Sequence, residues 1–233
     1  MAKSLPILLV PGLNCSPRLY AAQMPALWRF GPVTVADHTR DDTMAAIAGR
    51  ILAAAPPRFA LAGLSMGGYI ALEIVRQAAD RVKKLALLDT GSRADTPEAT
   101  AKRHANSALA QNGRFEEVIG PQFPLYVHPA RANDAALQAD YLAMCHDVGP
   151  EAYVRQQKAI MNRVDSRPLL DSIRVPTLVL VGEQDAATPP ALSDEMAAAI
   201  PGARLAKIAA CGHLSTMERP QAVTQELVAW MSA

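Results

Sequence analysis

Along the chain, short runs of almost uninterrupted apolar residues alternate with longer stretches in which apolar residues recur every three or four positions. The short runs occupy residues 5–10, 33–36, 59–64, 82–88, 177–181 and 204–208. Nearly all-apolar runs of this length predict strands buried on both faces, and the longer stretches between them predict helices, so the pattern is that of an α/β fold with a mostly parallel sheet of about six strands. Met44, Ile47 and Ile51 carry one helical stripe up to a stop at Pro56-Pro57, and Met66, Ile70, Ile74, Val75 and Ala78 carry the next. Thr188 before Pro189-Pro190 reads as an N-cap with proline in the first turn, and Pro201-Gly202 closes that helix. A last helix starts at Pro220 with Val223, Leu227 and Trp230 on one stripe.

The alternation breaks between about Gly91 and Ser172. This segment predicts no strand and three helices, opened by Thr96-Pro97, Asn133 and Pro150. An all-helical insertion between two strands of a parallel sheet predicts a lid over the carboxyl edge, where such sheets bind ligands. The expected division is therefore a core of residues 1–91 and 172–233 with a helical lid of residues 92–171.

A chain of 233 residues that is 50% hydrophobic and 19% charged has enough apolar surface to bury a sizeable core. Its 23 lysines and arginines against 22 aspartates and glutamates leave a net charge of +1 with no long run of either sign, which disfavours nucleic acid and anionic membranes as partners. Cys15, Cys145 and Cys211 form no disulfide framework and no Cys-x-x-Cys pair, so a reducing compartment is expected. The apolar stretch at residues 5–10 contains Pro6 and runs into Pro11-Gly12 without a cleavage site, so it reads as a strand rather than a signal peptide. No apolar run approaches the ~18 residues of a membrane span. A cytoplasmic location is the expectation.

The strongest chemical signal is Gly63-Leu64-Ser65-Met66-Gly67, followed by Gly68. It joins a predicted strand to a predicted helix, the setting in which a sharp turn lifts a serine hydroxyl clear of the sheet. A serine needs a base, and His213, just past the last predicted strand, is better placed than His38, His104, His128 or His146. The histidine in turn needs a carboxylate, for which Asp185 follows the preceding strand; Asp89, after the strand at 82–88, is the competing acid. Two backbone donors for an oxyanion are expected from Met66, the residue after the serine, and Leu13, in the turn after the first strand, where Pro11 has no amide proton.

These motifs, with Val181-Gly182-Glu183-Gln184-Asp185, Gly212-His213, Glu218 and Pro220, resemble the α/β-hydrolase superfamily over nearly the whole chain. Its small size and helical lid are similar to the serine carboxylesterase branch that includes the pimeloyl-carrier-protein methyl ester esterases. The resemblance implies an α/β-hydrolase fold with a catalytic Ser65, Asp185 and His213, no metal and no organic cofactor. Where this family often has a histidine before the glycine of the oxyanion turn, the chain has Pro11. A serine rather than an aspartate at the elbow argues against haloalkane dehalogenase and epoxide hydrolase chemistry. The expected function is hydrolysis of small to medium carboxylic esters through an acyl-serine, the partner being a small-molecule ester. Thioester, lactone, amide and carbon–carbon bond cleavage use the same residues, and a ligand receptor on a hydrolase fold is the alternative of another class. Apolar and aromatic residues of the lid, with Phe123, Tyr126 and Met144 foremost, are the expected substrate contacts.

Overall fold

The computed structural model describes residues 4–233. Six strands, β1 (Ile7–Val10), β2 (Val33–Val35), β3 (Phe59–Leu64), β4 (Val82–Leu88), β5 (Thr177–Gly182) and β6 (Arg204–Ile208), form one sheet in the order β2-β1-β3-β4-β5-β6 with every pairing parallel. The strands of this sheet alternate their side chains between two cores. Ile7 and Leu9 of β1, with Ala62, Ala86, Leu178 and Leu180, belong to one core; Leu8 and Val10, with Leu61, Leu85, Leu87 and Val179, belong to the other.

Helices α1 (Met44–Ala54) and α2 (Met66–Ala78) pack on the second face through Ile47, Ile51, Ile70 and Ile74. Three further helices, α3 (Pro97–Gln111), α4 (Ala135–Val148) and α5 (Pro150–Met161), lie with short helical turns between β4 and β5. α6 (Pro190–Ala199) joins β5 to β6, and α7 (Pro220–Ser232) closes the first face through Val223, Leu227 and Trp230.

Two capping expectations are corrected. The N-cap of α4 is Asp134, whose carboxylate accepts from the Leu137 amide at 3.0 Å, one residue beyond Asn133. The N-cap of α6 is Pro189, because the Thr188 hydroxyl is taken by Asp185 at 2.7 Å.

The strand order reverses direction between β1 and β3, and loops leaving their carboxyl ends diverge there, opening the crevice in which parallel sheets hold ligands. Leu13 follows β1, Ser65 follows β3, Asp185 follows β5 and His213 follows β6, so the sheet delivers all four to one edge.

Candidate active site

Ser65 sits at φ 56°, ψ −118°, a left-handed conformation that costs a non-glycine residue of order 1–3 kcal/mol. The turn is held by the Ser65 amide donating to Leu88 O at 2.9 Å and by the Thr90 hydroxyl donating to Ser65 O at 2.7 Å. Small residues are required on both sides: a methyl on Gly63 would overlap the Gly67 carbonyl, and one on Gly67 would overlap the Val10 carbonyl. α2 therefore approaches β1 closely enough to set the serine directly over the helix N-terminus.

His213 Nε2 lies 2.9 Å from Ser65 Oγ, and His213 Nδ1 lies 2.8 Å from Asp185 Oδ2. With Asp185 accepting, Nδ1 carries the proton and Nε2 presents its lone pair to the serine hydroxyl. Asp185 is itself fixed by the Ala187 and Thr188 amides, both 2.8 Å from Oδ1, and by the Thr188 hydroxyl 2.7 Å from Oδ2. Burial alone would raise the Asp185 pKa; the His213 charge and these hydrogen bonds outweigh it and hold the carboxyl below the ordinary aspartate value. Burial likewise pulls His213 down, but the Asp185 charge and hydrogen bond, helped by Asp89 and Glu218, leave its pKa above the ordinary histidine value.

Asp89 takes a different place. It is fully buried, its Oδ1 accepts from the Gly182 amide at 2.9 Å, its Oδ2 accepts from the Ser215 hydroxyl, and it makes no hydrogen bond to His213. Burial, then the charge of Asp185, push its pKa well above the ordinary aspartate value.

The Leu13 and Met66 amides face no protein acceptor among the described residues. A methyl placed on Gly12 would lie 3.4 Å from Ser65 Cβ, so the turn after β1 runs against the serine. Two buried side chains hold that turn: His38 Nε2 donates to Gly12 O at 2.8 Å, and Gln156 Oε1 accepts from the Asn14 amide at 2.9 Å. Burial lowers the His38 pKa, consistent with a neutral ring donating one hydrogen bond. Neither residue carries a local motif; their partners are 26 and 142 residues away in the chain.

A cavity of about 70 Å³ at Ser65 and His213 is lined by Leu13, Tyr69, Arg103, Tyr126, Tyr141 and Ile160, among others. Beyond it, sharing Leu13, Arg103, Tyr126 and Ala187, lies a wider one of about 400 Å³. Of the three expected substrate contacts, Tyr126 lines both cavities and packs its ring 5.4 Å from that of His213. Phe123 and Met144 are completely buried in the core of the sheet's first face and line neither, because both pack inward, Phe123 with its ring 5.7 Å from that of Tyr141. The helical segment is tied to the histidine loop: Leu214 N donates to Tyr126 O at 3.0 Å, and the buried Glu218 carboxylate accepts from both Gly212 N and His128 N at 2.7 Å.

Serine, carboxylate and histidine follow the third, fifth and sixth strands of this parallel sheet, in the chain order expected of the α/β hydrolases. The chain belongs to that family: the alpha/beta hydrolase fold model matches residues 10–220. It is similar to an esterase from Thermogutta terrifontis, with 30% identity and a TM-score of 0.88 over 98% of this chain and 89% of that one. An enol-lactonase from Burkholderia xenovorans has 25% identity and a TM-score of 0.87 over 100% and 93%. A pimeloyl-[acyl-carrier protein] methyl ester esterase from Neisseria meningitidis is 26% identical over 212 residues, covering 86% of this chain and 81% of that protein. Among the described residues no helix is long and apolar enough to cross a membrane.

Proposed function

We propose that the protein is a serine hydrolase of carboxylic esters, working through an acyl-serine intermediate. The observation that carries this reading is the unbroken chain from Ser65 Oγ to His213 Nε2 at 2.9 Å and from His213 Nδ1 to Asp185 Oδ2 at 2.8 Å. In the acylation step Ser65 Oγ attacks the ester carbonyl while His213 Nε2 takes its proton, and the resulting imidazolium is stabilised by Asp185. The carbonyl oxygen, now an oxyanion, accepts from the Leu13 and Met66 amides, and His213 returns the proton to the departing alcohol. Water, deprotonated by the same nitrogen, then releases the acid. Residues 92–171 act as a cap that shields these steps from bulk water.

The strained Ser65 backbone favours an enzyme over a ligand receptor on the same fold, since a receptor has no need to hold a serine in an unfavourable conformation. Cleavage of esters is supported by the esterases among its relatives, and the enol-lactonase keeps the cyclic ester of a lactone within the same chemistry. The test is turnover of short p-nitrophenyl esters by the wild type and by Ser65→Ala. Many turnovers per wild-type molecule with none above background in Ser65→Ala are expected. Stoichiometric binding without product release would favour the receptor.

A further inference from the structure

Arg103 of α3 lines both the cavity at Ser65 and the wider one beyond it. Its Nε donates to Asp95 at 2.8 Å and its Nη1 donates to the buried Gln157 at 2.8 Å, so the guanidinium plane is fixed from two sides. Gln157 is oriented in turn by donating to the Tyr153 hydroxyl at 2.5 Å. The remaining Nη2 donates to no protein atom among the described residues, and the Arg103 side chain keeps 22% of its surface accessible. A planar donor held this rigidly, with one terminal nitrogen left over, has lost its rotamer freedom before any ligand arrives.

The charges around it do not cancel. Asp95 is shared, because Arg163 Nη1 also donates to it at 2.7 Å, and the Asp95 side chain is only 4% exposed. One carboxylate thus faces two guanidiniums. Arg163 lies over the Tyr69 ring at 4.2 Å, and Tyr69 is itself a wall of the cavity at Ser65. Lys102 adds a further positive charge to the outer cavity, beside Asn106 and Gln122, and among the described residues no acidic side chain lines either cavity. A cavity with an excess of positive charge in and behind its wall, leading to a nucleophile, calls for a negative group on the substrate.

We propose that Arg103 is a specificity-determining residue that recognises a carboxylate on the substrate, so that the preferred esters are anionic. The proposal rests on the ester-hydrolase reading for its substrate class. Arg103 touches none of the reacting atoms; it anchors the far end of the substrate in the outer cavity while the ester carbonyl reaches Ser65 in the inner one.

The experiment compares p-nitrophenyl hemiglutarate with its neutral methyl-capped analogue, and 4-acetoxybenzoate with its methyl ester, which place the carboxylate on the acyl and the alcohol side respectively. In the wild type, the charged member of at least one pair should have the higher kcat/KM by roughly 10–100-fold at low ionic strength, the advantage shrinking with added salt. Arg103→Gln should bring the charged-to-neutral ratio of kcat/KM down to about one, and Arg103→Lys should keep part of it. Neutral esters hydrolysed as well as charged ones in a Ser65-dependent manner would overturn the proposal while leaving the ester-hydrolase reading intact. So would an Arg103→Gln protein that loses activity on both members of a pair by the same factor. A second arm needs no turnover: glutarate should raise the Tm of Ser65→Ala more than neutral glutaramide does, and lose that effect in Ser65→Ala/Arg103→Gln. If no ester is turned over yet glutarate binds through Arg103, the ester reading fails and the anion site stands; if glutarate and glutaramide act alike, the anion site fails.

Discussion

Replacing Asp185 by asparagine changes one atom, and the structure fixes which one. Both backbone amides that hold the carboxylate, from Ala187 and Thr188, converge on Oδ1 at 2.8 Å, whereas Oδ2 receives His213 Nδ1 and the Thr188 hydroxyl. Asparagine must keep its oxygen where the two amides donate, so its NH₂ group falls at Oδ2 and points at His213. A donor facing the Nδ1 proton is repulsive, and the ring relieves it by moving that proton to Nε2. Nε2 then has no lone pair for the Ser65 hydroxyl 2.9 Å away, and the imidazolium has lost its buried counter-charge. The wrong tautomer alone should lower kcat by about 10⁴-fold with the fold intact.

Asp89→Asn is the matched control. Its carboxylate accepts from the Gly182 amide on one oxygen and meets the Ser215 hydroxyl on the other. An asparagine can accept from Gly182 and donate to Ser215. The expected loss is tenfold or less, on the order of one neutral hydrogen bond. The assay is kcat on p-nitrophenyl butyrate, with Tm and near-ultraviolet circular dichroism reporting the fold. An Asp185→Asn protein within tenfold of wild type, or a larger loss in Asp89→Asn than in Asp185→Asn, would refute the assignment of the acid.

Because His213 must be neutral to accept a proton and its pKa is raised above the ordinary value, kcat/KM should fall on acidification with a midpoint above about pH 6.5. In Asp185→Asn any residual activity should show that midpoint moved downward, and a wild-type midpoint below the ordinary value would contradict the ion pair. Gly67→Ala forces a methyl against the Val10 carbonyl and should cost about 1–3 kcal/mol, seen as a Tm loss of several degrees, while Gly120→Ala, which meets open space, should be nearly neutral. Equal Tm values for the two would refute the close approach of α2 to β1. Each methylene of an acyl chain that leaves water should contribute about 0.8 kcal/mol, nearly fourfold in kcat/KM, until the cavity at Ser65 is filled and packed side chains must be displaced at a cost of ~1–3 kcal/mol. For neutral p-nitrophenyl esters from acetate to palmitate a maximum at short to medium chains is expected, and a steady rise to palmitate would mean that the cap opens as in a lipase.

The sheet was legible because strands buried on both faces leave a simple mark. The expected ranges 59–64, 82–88 and 204–208 coincide with β3, β4 and β6. The four site positions follow strand ends, so each was identifiable once its strand was identified. What supports them was not legible, since Gln156 meets Asn14 and Arg103 meets Gln157 only through the packing of α5 and α3, far from any motif. Phe123 and Tyr126 have nearly the same local context, yet one is sealed in the core and the other faces the cavity. Apolar residues on every side of a helical segment carry no periodic signal that separates packing from lining. Thr188 shows a related limit: its spacing before two prolines fits a cap, but the nearby buried carboxylate competes for the same hydroxyl and wins.

The account depends above all on Ser65 being a nucleophile activated by His213, and covalent labelling measures this directly. A fluorophosphonate that mimics the tetrahedral intermediate should add one phosphonyl group per chain, located by peptide mass spectrometry on Ser65. Labelling should be absent in Ser65→Ala and slowed by orders of magnitude in His213→Ala, with both variants retaining the wild-type circular dichroism spectrum. A folded wild-type protein that resists the reagent, or one labelled at another residue with Ser65 untouched, would contradict the central claim.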